Sequence, residues 1–476
     1  MTDTKSYLVA GEWKTGDDSF EVKSPFDEKV IATVSSPTKA DVETAIAAAD
    51  ASFEETRKLP VHARAEALMH ISRRIEERVD EVAELIAGEG GKPLKWAKVE
   101  AVRAVSTFRW AAEEARRASG ELMRLDTEAS LGSRLGIVRR FALGPVLAIA
   151  PFNFPVNLVA HKMAPALAVG APIVIKPATK TPLGALFLGE LFSETDLPQT
   201  MLSVLPVSGS EAGEMAKDDR FAKISFTGSS EVGWNLRASA PRKAVTLELG
   251  GNAGVIVHSD ADLETAAQRI AFGGYYQAGQ SCISVQRVLV HSDVADRFTD
   301  LLVTEVNKLK TGDPMDPDTD VGPVIDHESL ERIAAWVDEA VQAGAEVLCG
   351  AKREDPFYLP TVLTRTDSDM KVRCEEIFGP VISVGTYSDY EEAVAEVNNS
   401  KYGLQAGVFT RDIDRILIAH RDIRVGGVIA NDVSAFRADQ MPYGGSKESG
   451  TGREGLRYAM DEMTEPRILV LSHVPL

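Results

Sequence analysis

The stretch GYYQAGQSCISVQRVLV, residues 274–290, sets Cys282, one of only three cysteines, among small polar residues. Gly279, Gln280, Ser281 and Ser284 surround it, and a β-branched run from Arg287 to His291 follows. A structural cysteine is usually a small hydrophobe in apolar company. A nucleophilic one needs a loop with little side-chain bulk, so that a substrate carbon can reach the sulfur. By residue type alone, an inert cysteine is the commoner occurrence. A second reactive type stands upstream, where LELGG puts Glu248 at the tip of a largely apolar run. A carboxylate between Leu247 and Leu249 is costly unless it has a partner, water or a task. Burial would raise its pKa and make it a usable base near neutrality. A surface glutamate at a strand end is the commoner outcome for this residue type.

Two further stretches carry polar groups at places where a ligand could sit. SFTGSSEVG, residues 225–233, reads as a strand ending at Gly228 and a helix opening at the serines. Free N–H groups and the positive dipole end of that helix would make a phosphate seat. With only Gly228 and Gly233 it lacks the full G-x-G-x-x-G, so it also reads as a routine strand–helix turn. KPATKTP places Lys176 at a strand end, where it is either solvated or, beside a phosphate seat, a hydrogen-bond donor to a ribose.

The elements that must position these residues follow from periodicity. Leu68, Ile71, Ile75, Val79, Val82 and Ile86 form one apolar stripe of an N-terminal helix, which Gly88, Gly90, Gly91 and Pro93 are expected to stop. A second amphipathic stretch runs to about Arg117. From Val146 the runs VLAIAPF, PIVIKPA, MLSVLPV, KISFTG and AVTLELGG alternate with helical segments, a βα rhythm that implies a parallel sheet covered on both faces. Ligands bind at the C-terminal strand ends of such sheets. Asn153 follows the first run, Lys176 the second, Thr227 and Gly228 the fourth, and Glu248 the fifth. After Asn252 a second series offers RVLVH, EVLCG, AGVFTRD and VGGVIAND as strands. GIVRRFAL (136–143) and PRILVLSH (466–473) fit neither block; an unpaired apolar strand is an aggregation hazard, so these two are expected to pair with each other, within or across subunits.

Composition bounds what such a chain can do. At 476 residues it is too long for one core, and its net charge of −19 leaves no basic stripe for nucleic acid. An anionic substrate would have to be drawn in by a local cluster of arginines. Cys282, Cys349 and Cys374 are in no metal-like spacing and suggest neither a disulfide framework nor a zinc site, so a reducing, cytoplasmic setting is expected. The N-terminal MTDTKSYLVAGEWKTG does not read as a signal peptide, and the most apolar tract, 163–175, is too short to span a bilayer.

Taken together, PFNFP (151–155), KPA (176–178), FTGSSEVG (226–233), LELGG (247–251), GQSC (279–282), EEIFGPV (375–381) and PYGGSKESGTGREG (442–455) resemble the aldehyde dehydrogenase superfamily. The motifs occur in the family's order, and the resemblance spans nearly the whole chain. It implies an α/β fold with a Rossmann-like cofactor domain (1–121 and 144–251), an α/β catalytic domain (252–450) and a small β oligomerisation element (122–143 and 451–476). Cys282 would be the nucleophile, and Asn153 with the Cys282 backbone N–H the oxyanion hole. Glu248 would activate the water that releases the acid. NAD(P) contacts are expected from Phe152, Lys176, Thr179, Thr227, Gly228, Ser229, Gly233, Leu249, Glu376 and Phe378, with Glu376 on the nicotinamide ribose. No metal is required.

Departures from the family pattern bear on specificity. Many NAD-preferring members carry a glutamate three residues after the motif lysine; here that position is Thr179, so NADP should be tolerated or preferred over NAD. Phe152 stands where many members have tryptophan. Arg437 lies just before the Pro442–Tyr443 segment, which the resemblance makes part of the substrate entrance, with Tyr443 as a substrate contact. Arg437 and Arg103 resemble positions used by members acting on small hydroxylated or anionic aldehydes, although each arginine also fits a structural ion pair. Ser281 replaces an arginine frequent in phosphate-specific members. A CoA-acylating relative would usually lack the motif glutamate, and a non-catalytic protein on this fold would lose Cys282, Glu248 or Asn153. The resemblance implies a small-molecule aldehyde as substrate, no nucleic-acid or membrane partner, and a homodimer or homotetramer.

Overall fold

The computed structural model describes residues 4–474; the outermost residues of the expected domains, 1–3 and 475–476, lie outside that range. The βα rhythm after Val146 builds an eight-stranded sheet in the order Glu12–Lys14, Tyr7–Val9, Leu202–Val204, Ile173–Lys176, Val146–Ile149, Lys223–Thr227, Ala244–Glu248 and Gly450–Thr451. Its five inner strands, from Leu202–Val204 to Ala244–Glu248, are parallel. Most of their residues are buried because helices cover both faces, which is why they read as unbroken Val, Ile and Leu runs. The chain order reverses between Val146–Ile149 and Lys223–Thr227, the place where a crevice opens in sheets of this kind. In register, Ile149 faces Lys176 and Thr227 faces Glu248, so the polar residues end their strands at one level.

Only Gly250 to Asn252 separate Glu248 and Leu249 from the first strand of a second sheet. That sheet has seven strands, in the order Glu346–Cys349, Thr361–Thr364, Val381–Tyr387, Val285–His291, Ala253–Val257, Gln405–Phe409 and Gly427–Ala430. All four candidates of the second series are among them.

The two stretches that fitted neither block pair with each other inside one chain. Thr464–Ser472 runs antiparallel to Arg134–Ala142, with Ile468 opposite Val138, and Glu121–Arg124 adds a third strand. Ile468, Leu469, Val470 and Leu471 stay exposed on this element.

The single stripe expected from Leu68 to Ile86 is two helices, Val61–Glu77 and Val79–Gly90. The break falls at Arg78 (φ −118°, ψ 24°), whose guanidinium bonds Glu81 and, across the chain, Glu190. Leu68, Ile71 and Ile75 before the break and Val82 and Ile86 after it are all buried, so three- and four-residue spacing alone does not reveal where one helix ends and the next begins. Gly88 and Gly90 are inside the second helix; Gly91, left-handed at φ 64°, ends it. No helix among the described residues is long and apolar enough to cross a membrane.

Candidate active site

The approach to Cys282 is bent by three consecutive left-handed residues, Gln277 (φ 57°), Ala278 (φ 52°) and Gly279 (φ 69°). For the first two this conformation is strained and persists only if the surroundings over-determine it. They do. Gln280 ties the bend together by donating to Gln277 O from its backbone and its side chain, both at 3.1 Å, while its Oε1 accepts from Ile325 N at 2.8 Å. Tyr276 donates its hydroxyl to Ser281 Oγ at 2.8 Å, Ser284 Oγ donates to Gly274 O, and Ser434 Oγ donates to Ile283 O. The small polar residues around Cys282 thus hold a loop in one shape.

Three chain segments converge on the half-buried Cys282. Asn153, 4% exposed, donates from Nδ2 to Gln280 O at 3.0 Å, leaving its second amide hydrogen and a buried, unpartnered Oδ1. The backbone N–H of Cys282 donates to no acceptor among the described residues. Gly251 brings the LELGG segment against the same loop: a side chain there would overlap Cys282 O, and one at Gly250 would overlap the Glu376 carboxylate. Glu248, at the end of that strand, is 3% exposed, and neither of its oxygens has a hydrogen-bond partner among the described residues. Burial, and then the charge of Glu454, push its carboxyl well above the ordinary range. Burial also pushes the Cys282 thiol up to about 12, against a hydrogen bond with Tyr443.

The residues expected to hold a nicotinamide dinucleotide sit along the strand ends. Lys176 is buried, its ammonium has no hydrogen-bond partner among the described residues, and burial lowers its pKa. Thr179 is exposed on the loop beyond it. Thr227 ends its strand, Gly228 N donates to Glu248 O, and Ser229 caps the helix Ser230–Ser239, in whose first turn Gly233 N donates to Ser229 O. Leu249 is buried behind them. Glu376 accepts from Gly251 N at 2.9 Å through Oε1, and burial raises its carboxyl to about 7. Phe378, itself left-handed at φ 45°, meets Phe152 edge to face with centroids 5.9 Å apart. A buried lysine and an open helix N-terminus, two strands apart at the same end of the sheet, suit a phosphate-bearing group with ribose hydroxyls.

Of the residues singled out for substrate, Tyr443 lies nearest the sulfur, its Oη 3.0 Å from Cys282 Sγ. Arg437 is 5% exposed, stacks 3.8 Å over the Tyr443 ring and donates to Glu454 at 3.0 Å. Arg103 donates to Asp439 at 2.8 Å. Each arginine keeps a buried Nε without a partner among the described residues. Sequence reasoning missed the centre of this cluster. Lys162, wholly buried, donates to Thr227 Oγ1 at 2.7 Å, Ser225 Oγ at 3.1 Å and Glu454 at 3.1 Å. The available signal was His161 and Lys162 side by side inside the largely apolar helix Asn157–Val169.

Comparison with known proteins fits this geometry. Residues 13–469 match the model of the aldehyde dehydrogenase family. The chain is 44% identical to the 3-sulfolactaldehyde dehydrogenase of Priestia megaterium over 475 residues, 99% of both proteins. Its fold matches aldehyde dehydrogenase 21 of Physcomitrella patens, solved with the reaction product succinate, at a TM-score of 0.97 and 42% identity, covering 99% of this chain and 98% of that one. The NADP complex of glyceraldehyde-3-phosphate dehydrogenase from Methanocaldococcus jannaschii matches at a TM-score of 0.92 and 37% identity, over 96% and 100% of the two chains.

Proposed function

This chain belongs to the aldehyde dehydrogenase family and oxidises an aldehyde to the carboxylic acid with NAD(P), and we propose that Cys282, Glu248 and Asn153 carry the reaction. The observation that carries the proposal is the meeting of the Asn153, Glu248 and Cys282 segments, with a buried carboxylate that no protein group engages. The Cys282 thiolate adds to the aldehyde carbon; the S–C bond forms and the carbonyl π pair moves onto oxygen. The free Asn153 amide hydrogen and the Cys282 N–H are placed to donate to that oxyanion. A nicotinamide dinucleotide held by Glu376 and Phe378 would supply the acceptor for the hydride that leaves the same carbon. Glu248, with its raised pKa, accepts a proton from the water that attacks the resulting thioester, and the acid leaves as sulfur regains its electron pair.

Lys176 and Glu376 hold the two riboses, and the N-terminus of the Ser230–Ser239 helix the phosphates. The uncharged Thr179 leaves room for a 2′-phosphate near Lys176, so NADP is used at least as well as NAD. The substrate is a small hydroxylated or anionic aldehyde whose carboxylate or sulfonate end is met by Arg103 and Arg437. Their unpaired Nε groups and the similarity to a 3-sulfolactaldehyde dehydrogenase support this class. Two or four chains associate through the exposed strand Thr464–Ser472.

Two variants test the assignment. Cys282→Ser should abolish oxidation while the cofactor still binds. Glu248→Gln should still give a pre-steady-state burst of NAD(P)H but release acid slowly; steady turnover equal to wild type would remove Glu248 from the reaction.

A further inference from the structure

The environment of Cys282 poses a problem that the three core residues do not solve. Addition needs a thiolate, yet burial and the carboxylates of Glu376 and Glu248 all oppose a negative charge on Sγ. The other phenol nearby, Tyr276, is committed to Ser281. Asn153 donates to Gln280 O and, in the reaction, to the substrate oxygen. Among the described residues, the hydrogen-bond partner of the sulfur is Tyr443 Oη, at 3.0 Å.

A thiolate has no hydrogen to give, so in the ionised pair the phenol must be the donor. Tyr443 is suited to that task. It is 3% exposed, and its own ionisation is opposed first by burial and then by the charge on Cys282, so it keeps its proton. The Arg437 guanidinium lies 3.8 Å over the ring, where a cation draws electron density from the phenol and makes its O–H a stronger donor. Arg437 cannot drift from that position because Glu454 holds it at 3.0 Å, and Lys162 holds Glu454 from the other side. Tyr443 N and Glu454 N each donate to the other's carbonyl oxygen, which fixes the backbone of the pair.

We propose that Tyr443 is a catalytic residue that donates a hydrogen bond to the Cys282 thiolate and so sets the fraction of enzyme ready to attack, with Arg437 as the positioning residue that polarises it. This deepens the reading of Cys282 as nucleophile and rests on it. The hydroxyl gives a hydrogen bond and not a proton. The proton leaving the thiol goes to solvent before the aldehyde arrives, and Tyr443 is unchanged when the S–C bond forms.

Tyr443→Phe removes one oxygen atom and keeps the ring. The measurement is the pH dependence of alkylation by iodoacetamide, with the modified cysteine located by peptide mass spectrometry, and with melting and cofactor binding confirming the fold. A hydrogen bond to a charged group corresponds to about one pH unit. The alkylation midpoint should therefore rise by about one unit in the variant, with a roughly tenfold slower reaction at neutral pH. Alkylation at Cys282 with an unchanged or lowered midpoint would overturn the role of Tyr443 and leave Cys282 as nucleophile. Alkylation at Cys349 or Cys374 instead, with oxidation surviving in Cys282→Ser, would overturn both.

Discussion

Lys162 and Glu454 stand 292 positions apart in the chain and form an ion pair at 3.1 Å in the interior, their side chains 0% and 2% exposed. Lys162 reaches it from the largely apolar helix Asn157–Val169, and Glu454 from the loop behind Tyr443. Burial works against the Glu454 charge, yet Lys162 and Arg437 hold its carboxyl below the ordinary range. That persistent charge then adds to burial in pushing the Glu248 carboxyl up. One structural ion pair thereby helps to set the proton affinity of the candidate base.

Folding therefore favours protonated Glu248. The stability this contributes is complete below about pH 4, the range of an unfolded glutamate, and is lost as pH rises through the raised folded value. Glu248→Gln has nothing to titrate, so its Tm relative to wild type should climb across a pH series from about 4 to 8. A constant difference over the whole series would mean that Glu248 ionises as an ordinary glutamate.

Lys92 and Glu100 are a second buried pair, both side chains 1% exposed, with the Lys92 ammonium 3.8 Å over the Phe154 ring. The other Glu100 oxygen accepts from Val156 N and Asn157 N at 3.0 and 3.1 Å, just past the loop that carries Asn153. Removing one partner of a buried pair strands the other, at about 3–5 kcal/mol. Glu100→Ala should lose that much stability in denaturant titration. A loss no larger than that of a surface glutamate would show that Lys92 finds another partner.

The proposed use of NADP turns on the uncharged side chain of Thr179. A carboxylate at this position would accept from ribose hydroxyls but repel a 2′-phosphate, a few kcal/mol or on the order of 100-fold in affinity. Wild type should use NADP at least as well as NAD by kcat/KM, and Thr179→Glu should swing the ratio sharply towards NAD. Strong rejection of NADP by the wild type would mean that another residue reads the ribose.

Arg103 is 24% exposed and bound to Asp439, with its Nε left over. Arg103→Gln should lower kcat/KM for aldehydes ending in a carboxylate or sulfonate by on the order of 100-fold, and leave a neutral aldehyde of equal length nearly unaffected. Equal losses for both would mark Arg103 as a structural residue only.

Leu469 is 56% exposed on a strand whose neighbours Ile468 and Val470 are also in solvent. An apolar strand left open in this way calls for a covering partner. Light scattering should find two or four chains for wild type and a single chain for Leu469→Asp. A wild-type monomer with full activity would refute the association.

Much of this was legible along the chain because it is written in short-range signals. The βα rhythm follows from local periodicity, so the strands ending at Lys176, Thr227 and Glu248 could be placed from the sequence. The motifs around Cys282, Glu248 and Asn153 are each contiguous, and they carry the family resemblance. The polar neighbours of Cys282 are visible in the sequence because part of what ties down the strained left-handed turn is local, as in the bonds from Gln280 to Gln277 O; its ties to Ile325 N and Ser434 Oγ come from distant segments.

What only the tertiary structure decided are the pairings between distant segments. Arg437 could be read as a substrate ligand or an ion-pair partner, and nothing local chooses; burial against Glu454 and the Tyr443 ring engages most of it and leaves one Nε–H over. Tyr443 reads as one aromatic in a glycine-rich motif, yet 161 positions of chain fold back to set its hydroxyl on the Cys282 sulfur. The strands 136–143 and 466–473 were expected to pair with each other, but only the fold decides that they do so within one chain. The physical reason is common to all three. Periodicity and propensity act over a turn or a strand, whereas a buried charge or an open strand edge is satisfied by whichever group the fold delivers, whatever its distance in sequence.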